Sequence, residues 1–187
     1  MPNATKKLLS MSLKKLLTGR TLDGITIQDL VNDAEVSRKT FYYHFQDIYD
    51  LLDWVLLDEG KRLLEGRATA DTWQQGMRSV FDYLQENRAM ILNVYRSVQK
   101  DGDLLKEHVS RLVQPLVQQV FDAQPDSGRV AEEDRELILR LYSFGLVELC
   151  LHWIGRGMKP DADRLMDQLE RIFSGSMESL IQRCREP

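Results

Sequence analysis

Apolar residues recur at steps of three and four along almost all of this 187-residue chain, and no segment shows the strict alternation of a half-buried strand. One apolar stripe runs from Leu8 to Leu17, and a later one runs from Leu165 to Ile181. Glycine, proline and short polar stretches interrupt the pattern and divide it into about nine segments. The sequence therefore predicts an all-α protein of about nine helices.

Two of the predicted helices near the N-terminus are short and closely spaced. Thr26, with Asp29 three residues later, has the pattern of a short capping box at the start of the first helix. Ser37 is an N-cap candidate for the second helix, and only residues 34–36 lie between the two segments. Such a pair is typical of a helix–turn–helix, whose second helix enters the DNA major groove with its N-terminal residues at the base edges.

The charge of the chain is unevenly distributed. The net charge of −4 taken alone argues against DNA, because phosphate binding needs a basic surface. However, residues 1–46 carry seven basic and four acidic side chains, a net +3, whereas the remaining residues carry 18 basic and 25 acidic ones, a net −7. This asymmetry favours a helix–turn–helix DNA-binding domain at 1–46 and a helical regulatory and dimerisation domain at 47–187, with 47–67 as the connecting helix.

The side chains of the second short helix suit contact with DNA. Arg38 and Lys39 offer hydrogen-bond donors to guanine edges or phosphates. The polar aromatic residues that follow place polar tips beside apolar bodies, as phosphate-contacting residues often do. Phe41 and Phe45 are predicted to lie in the core, whereas Tyr42 fits the core and the groove equally well.

The segments Ile25–Leu30 and Val36–Phe45 resemble the DNA-binding domain of the TetR family of transcriptional regulators, and the resemblance spans about residues 5–53. It implies phosphate contacts from Thr26, Tyr43 and His44. It implies base or near-base contacts from Arg38, Lys39, Thr40 and Tyr42. The candidate DNA-contacting residues are Thr26, Ser37, Arg38, Lys39, Thr40, Tyr42, Tyr43 and His44.

Two further features belong to this resemblance. The family usually has glycine in the turn where this chain has Glu35, and a left-handed backbone there would cost on the order of 1 kcal/mol for a residue with a side chain. The run Thr40–Trp54 also resembles a subgroup related to regulators of dihydroxyacetone kinase operons.

The C-terminal part shows no catalytic or metal-binding constellation, so no enzyme activity, cofactor or metal is predicted. A ligand pocket between helices is the favoured hypothesis, because a kink expected at Pro115 opens space beside its helix. The candidate contacts have a polar tip on an apolar face, although each alone is more often ordinary core or surface. They are Trp73, Tyr95, Arg96, His108, Tyr142 and His152.

The segment 132–154 is apolar nearly all round, which predicts that a partner subunit covers part of it, although burial within one subunit is the alternative. The candidate interface residues are Leu141, Gly145, Leu149, Trp153, Leu169 and Phe173. Charged residues inside this segment argue against a membrane span. Two cysteines and the lack of an uninterrupted apolar signal core favour a cytoplasmic protein.

These observations together predict a homodimeric, ligand-responsive transcriptional repressor. Its expected partners are a palindromic double-stranded DNA operator, a second copy of itself and a small-molecule effector, with no membrane. The alternative is an adaptor of the same fold that acts through a protein partner rather than through its own small-molecule pocket.

Overall fold

The computed structural model describes residues 2–65, 72–98 and 102–185. Within these ranges the chain forms α-helices and no strand, which confirms the predicted all-α class. The helices are α1 (Pro2–Leu17), α2 (Ile27–Asp33), α3 (Arg38–His44), α4 (Ile48–Leu64), α5 (Trp73–Glu86), α6 (Arg88–Val98), α7 (Gly102–Asp122), α8 (Glu132–Gly155), α9 (Ala162–Phe173) and α10 (Ser176–Cys184).

The C-terminal apolar stripe predicted as one helix is two helices, α9 and α10. Gly175 lies between them with a left-handed backbone (φ 68°), a conformation that glycine adopts without steric cost and that ends a helix. Apolar residues recur at steps of three and four on both sides of this break, so the apolar pattern alone does not show it. Pro115, by contrast, does not end α7, which continues through it.

The helices belong to two compact units. The first comprises Met1–Lys61 and Asn87–Leu105, and the second comprises Arg62–Glu86 and Lys106–Pro187. The first unit therefore contains α6 as well as the two short helices. The functional boundary predicted at residues 46 and 47 stays a prediction.

Helix α6 is held in the first unit by side-chain hydrogen bonds. The side-chain amide of Asn93 donates to the carbonyl of Leu17 at 2.9 Å, and the backbone N–H of Asp23 donates to the Ser97 hydroxyl at 3.3 Å. Both bonds satisfy backbone groups that a helix end or a tight turn would otherwise leave to water. Since α6 also packs along α1, it forms part of the scaffold of the two short helices.

The second unit has its own apolar core. Val117 and Phe121 of α7 pack with Ile138 and Tyr142 of α8 and with Ile181 of α10. Elsewhere in this unit, α5 packs against α9. Burial of these large side chains is the main favourable term for such a bundle, at roughly 1.5–3 kcal/mol for each fully buried side chain.

Two of the predicted interface residues lie inside this unit. Trp153 is 2% exposed, packs edge-to-face on Phe81 at 5.0 Å and donates its indole N–H to the carbonyl of Pro160 at 2.6 Å. Leu169 is also buried, on α9. These positions correct the sequence prediction, because side chains buried within their own unit have no surface left for a partner.

The turn between α2 and α3 closes around a residue with a left-handed backbone. Glu35 has φ 53°, as the resemblance predicted for this position. The N–H of Val36 donates to the carbonyl of Val31 at 3.0 Å, and the N–H of Glu35 donates to that of Asn32 at 3.4 Å. These two bonds form the Schellman motif that usually places glycine at the position of Glu35.

We expect Glu35→Gly to raise the free energy of unfolding by about 0.5–1 kcal/mol. Glycine removes the strain of a left-handed backbone, about 1–2 kcal/mol, but it also increases the conformational entropy of the unfolded chain, which offsets part of that gain. Urea denaturation of the full chain measures the change. The matched control is Ala34→Gly, since Ala34 has φ −83° and glycine there should only destabilise. A loss of stability in both variants would contradict the assigned strain.

Candidate functional site

The start of α2 is fixed by a reciprocal cap. The N–H of Asp29 donates to the Thr26 hydroxyl oxygen at 3.1 Å, and the N–H of Thr26 donates to the Asp29 carboxylate at 2.9 Å. The Thr26 hydroxyl also donates to that carboxylate at 2.7 Å, and Arg20 lies 3.6 Å from it. The capping box predicted from the sequence is therefore present. The Thr26 hydroxyl can donate to a phosphate only if it gives up its hydrogen bond to the Asp29 carboxylate.

Ser37 caps the start of α3, since its hydroxyl oxygen accepts a hydrogen bond from the N–H of Thr40 at 3.0 Å, which confirms the predicted N-cap. Phe41 is completely buried and Phe45 nearly so, which confirms both as core residues. Tyr42 packs edge-to-face on Phe41 at 5.5 Å yet remains 50% exposed. The buried pair fixes the rotation of α3, and the helix therefore presents its polar side chains to solvent.

The exposed face of α3 brings together most of the predicted DNA-contacting residues. Arg38 lies over the ring of Tyr42, with its guanidinium carbon 5.7 Å from the ring centroid. Tyr43 is 80% exposed and packs edge-to-face against His44 at 4.9 Å. Aromatic packing of this kind restricts the side chains before any ligand arrives, which lowers the entropy cost of binding. Thr26 lies apart in sequence, at the start of α2.

Three of the seven basic side chains of residues 1–46 pair with a carboxylate: Lys14, Lys15 and Arg20. Lys14 pairs with Glu59 at 2.6 Å, and Lys15 pairs with Asp33 at 2.5 Å. Lys6 lies over the ring of Phe45, 5.2 Å from its centroid. Among the described residues, Lys7, Arg38 and Lys39 are the exposed cations of this segment for which the structure gives no carboxylate partner. Two of these three are at the start of α3.

The second unit contains a cavity of about 250 Å³. Its wall is mainly apolar, with polar groups from α5, α7, α8 and the α9–α10 junction. The lining residues are Leu64, Trp73, Gln74, Met77, Leu116, Val117, Val120, Gln124, Tyr142, Leu146, Phe173, Ser174, Gly175, Met177 and Glu178. A largely apolar cavity with a few polar groups is typical of small-molecule sites.

Of the residues predicted to contact a ligand, Trp73 and Tyr142 line this cavity. Tyr95 and Arg96 lie on α6, in the first unit, and His152 is exposed on α8 and does not line it. The side chain of His108 lies outside the described residues. The structure adds Gln74 to the lining, and it also places there Phe173, which was predicted as an interface residue. Neither was predicted to contact a ligand, because the apolar pattern does not show which helix faces meet.

Part of α8 carries apolar side chains that nothing in the described chain covers. Leu137 and Leu141 are 66% and 63% exposed, Phe144 and Leu149 are also exposed, and Ile172 of α9 is exposed as well. Gly145 lies in the same stretch, and a side chain built there would meet no atom within 4 Å. Phe173, another predicted interface residue, instead packs against Tyr142 at 5.6 Å. Exposed apolar stripes of this kind mark interaction surfaces.

Helix α8 is also the one described helix long and apolar enough to cross a membrane by length and composition. Helices at the centre of a bundle meet the same criterion, and the inner face of α8 is part of the core of its unit. Among the described residues no group of three or more histidine, cysteine, aspartate or glutamate side chains is placed to hold a metal ion.

The helix–turn–helix and the separate helical unit define the general class of a DNA-binding regulator. A TetR family described as "Transcriptional regulator C-terminal region" matches residues 71–175, and the chain therefore belongs to the TetR family of transcriptional regulators. Members of this family bind DNA, act as dimers and are not enzymes.

One curated relative is the HTH-type dhaKLM operon transcriptional activator DhaS of Lactococcus lactis subsp. lactis (strain IL1403). It is 25% identical over 91 residues, which are 49% of this chain and 49% of the relative. The match thus spans about half the length of that protein. It agrees with the subgroup resemblance noted at Thr40–Trp54.

Three solved structures support the fold. Dihydroxyacetone kinase operon activator DhaS has a TM-score of 0.70 at 18% identity, covering 97% of this chain and 98% of its own. The TetR family repressor AlkX from Dietzia sp. strain DQ12-45-1b has a TM-score of 0.58 at 16% identity, with the same coverage. A TetR transcriptional regulator from Rhodococcus sp. RHA1 has a TM-score of 0.57 at 21% identity, covering 91% and 99%.

The cap at Thr26 should make stability depend on pH. The hydrogen bonds from Thr26, and to a smaller extent Arg20, lower the pKa of Asp29 below its ordinary value of 3.8. The carboxylate therefore stabilises the fold above pH 3.8, and this contribution is lost as pH falls through the lowered pKa. We expect Asp29→Asn to be less stable than the wild type at pH 7, with the difference narrowing below pH 3.8.

Urea denaturation at pH 7, 5 and 3 measures this dependence. The control is Asp82→Asn, at an exposed aspartate of α5 outside any cap. A gap between Asp29→Asn and the wild type that stays constant across the three pH values would show that the carboxylate of Asp29 does not act in the cap as assigned.

Proposed function

We propose that this protein is a homodimeric transcriptional repressor whose affinity for DNA is controlled by a small molecule bound in the cavity of the second unit. The observation that carries the proposal is the orientation of α3. Burial of Phe41 and Phe45 leaves Arg38, Lys39 and Tyr43 on the exposed surface of the second helix of a helix–turn–helix.

The exposed residues of α3 divide into two roles. Arg38 and Lys39 lie in the first turn of the helix, the position from which side chains reach base edges in the major groove. Tyr43 and His44 lie at its other end, where hydroxyl and imidazole groups can contact the phosphate backbone. Ser37 and Thr40 share a hydrogen bond of 2.8 Å between their hydroxyls and could approach the DNA as a pair.

The uncovered stripe on α8 supports the dimer. Leu137, Leu141, Gly145 and Leu149 follow one another at four-residue steps, so they form one stripe along the helix. A second copy of the same stripe, related by a twofold axis, would cover the apolar surface of both. A twofold dimer presents two α3 helices, which suits a palindromic operator with half-sites about 34 Å apart or a multiple of it.

The cavity supports control by a small molecule rather than by a protein partner alone. The ligand would bind better to one arrangement of the dimer, and DNA would bind better to another. Each would therefore lower the affinity of the protein for the other, and a coupling free energy of about 1–3 kcal/mol suffices for this. The chain passes from one unit to the other within α4 and again within α7, so these two helices connect the units covalently.

The direction of regulation is proposed as repression, since a dimer bound at an operator excludes other proteins from the same DNA. Among the similar proteins, AlkX is described as a repressor and DhaS as an operon activator. A reporter gene placed downstream of a selected binding site distinguishes repression from activation by this protein. Expression of the reporter should rise when this protein is deleted, and a fall would show that it activates.

The division of roles on α3 predicts two kinds of variant. We expect Arg38→Ala and Lys39→Ala to relax sequence preference, because they remove contacts to bases, and Tyr43→Phe and His44→Ala to weaken binding to all DNA nearly equally. Each base contact should account for about 1–3 kcal/mol of discrimination. The measurement is DNA binding by each purified variant to sites selected from random fragments, beside scrambled DNA, at several salt concentrations.

The control for these variants is Lys15→Ala, at a lysine already paired with Asp33. Equal losses on selected and scrambled DNA for all four α3 variants would refute the division of roles. Failure of the wild-type protein to select any DNA would refute the proposed function itself.

The dimer predicts a specific response to charge on α8. We expect Leu141→Glu to dissociate the dimer at micromolar concentration, because it would bury an unpaired carboxylate in the interface. Sedimentation velocity measures the oligomeric state. The matched control is Leu8→Glu, at an exposed leucine of α1, which should stay dimeric. A monomeric wild type, or a dimeric Leu141→Glu, would overturn the assigned interface.

A further inference from the structure

Two residues in the wall of the cavity, Tyr142 and Gln74, carry oxygens that can accept a hydrogen bond from a ligand. Tyr142 lines the cavity, and its hydroxyl lies 2.7 Å from that of Ser176. The Ser176 hydroxyl donates to the carbonyl of Phe173 at 2.7 Å. A carbonyl can only accept, so the hydrogen of Ser176 is already used and the hydrogen of Tyr142 must point to Ser176. Towards a ligand, Tyr142 Oη is therefore an acceptor only.

Tyr142 keeps this character across the ordinary range of pH. Burial raises the pKa of its hydroxyl above the usual 10.0, and the hydrogen bond with Ser176 opposes that shift only in part. The phenol thus stays neutral and its proton stays committed to Ser176.

Gln74 provides a second acceptor in the same wall. Its Oε1 is buried from solvent and has no hydrogen-bond partner in the described structure. A buried acceptor left unpaired typically costs about 1–3 kcal/mol, which a donor on a ligand would recover. The last torsion of a glutamine side chain is soft, and Gln74 lines the cavity, so rotation of its amide can turn this oxygen towards a ligand there.

The charges in the described lining of the cavity disfavour one class of ligand. Its described lining contains no lysine, arginine or histidine, and its single charged residue is the carboxylate of Glu178. An anionic ligand would lose its hydration and meet no compensating cation there. A neutral or positively charged donor would suffer no such penalty.

The volume of the cavity indicates the size of the part of a ligand that it can enclose. A cavity of 150 Å³ in another protein holds one benzene molecule, so about 250 Å³ accommodates on the order of ten non-hydrogen atoms. Leu116, Val120, Leu146 and Met177 supply the apolar surface against which such a molecule would pack.

We propose that the cavity binds a small, mostly apolar molecule without negative charge, whose O–H or N–H group donates a hydrogen bond to Tyr142 Oη or Gln74 Oε1. This inference rests on the proposed function, in which the occupant of the cavity is the effector, and it names the chemical class of that effector. Tyr142 and Gln74 are then the residues that determine specificity.

The test uses matched sets of compounds of about ten non-hydrogen atoms. Each set contains a donor such as 4-propylphenol or 4-propylbenzylamine, its methylated counterpart without the donor hydrogen, and the corresponding 4-propylbenzoate. Calorimetry and ligand-observed NMR on the full chain measure binding. Donors should bind about tenfold more tightly than their methylated counterparts, and the benzoate should bind weakest.

Two variants and their matched controls locate the effect. We expect one of two variants, Tyr142→Phe, which keeps the ring and its packing, or Gln74→Leu, to weaken binding of the phenol about tenfold, according to which oxygen accepts its hydrogen. Neither variant should change binding of the methylated compounds, and no loss in either variant would contradict the assigned acceptors. The controls are Tyr95→Phe, outside the cavity, and Gln75→Leu, at the exposed neighbour of Gln74 on α5. If Gln74→Leu does not fold, Gln74→Glu retains an acceptor and should favour the amine over the phenol.

Each outcome separates this inference from the proposed function. Equal affinity for donors and methylated compounds, preference for the benzoate, or no binding of any compound at millimolar concentration overturns the assigned ligand class. Selection of DNA by the same preparation is measured alongside. If the wild type selects DNA but the ligand test fails, only the assigned ligand class is refuted. If the wild type selects no DNA, the proposed function is refuted, whichever compounds bind.

Discussion

The burial of Phe41 and Phe45 is the constraint on which the rest of the DNA-binding unit depends. These two rings pack in the core of the first unit and fix the rotation of a helix only seven residues long. A helix of this length has little stability of its own, because nucleation costs more than so few hydrogen bonds return. Tertiary packing therefore both forms α3 and decides which of its side chains face solvent.

The charge of the first unit is more local than its composition suggests. Residues 1–46 carry a net +3, but Lys14 and Lys15 are paired with carboxylates and Lys6 lies over an aromatic ring. The unpaired cations Arg38 and Lys39 coincide with the start of α3. Because Lys14 and Lys15 are paired, the exposed positive charge of this segment is left at Lys7 and at the start of α3, which agrees with the phosphate and base contacts proposed for α3.

Tyr142 connects the core of the second unit to its cavity. Its ring packs against Phe173, while its hydroxyl holds Ser176 at the α9–α10 junction, just after the left-handed backbone of Gly175. The break that separates α9 from α10 therefore also builds one wall of the cavity. Occupation of the cavity and the geometry of this junction depend on the same few contacts.

The sequence by itself determined the all-α class, the caps at Thr26 and Ser37, the left-handed turn at Glu35 and the family, because each of these depends on local spacing and local backbone chemistry. Only the tertiary structure decided that Trp153 and Leu169 are core rather than interface, that α6 belongs with the helix–turn–helix, and that Gln74 joins Tyr142 in one cavity. The apolar period shows that a helix has a face to bury but not what buries it. Which faces meet is decided by packing between residues far apart in sequence, and no local pattern of the sequence shows that pairing.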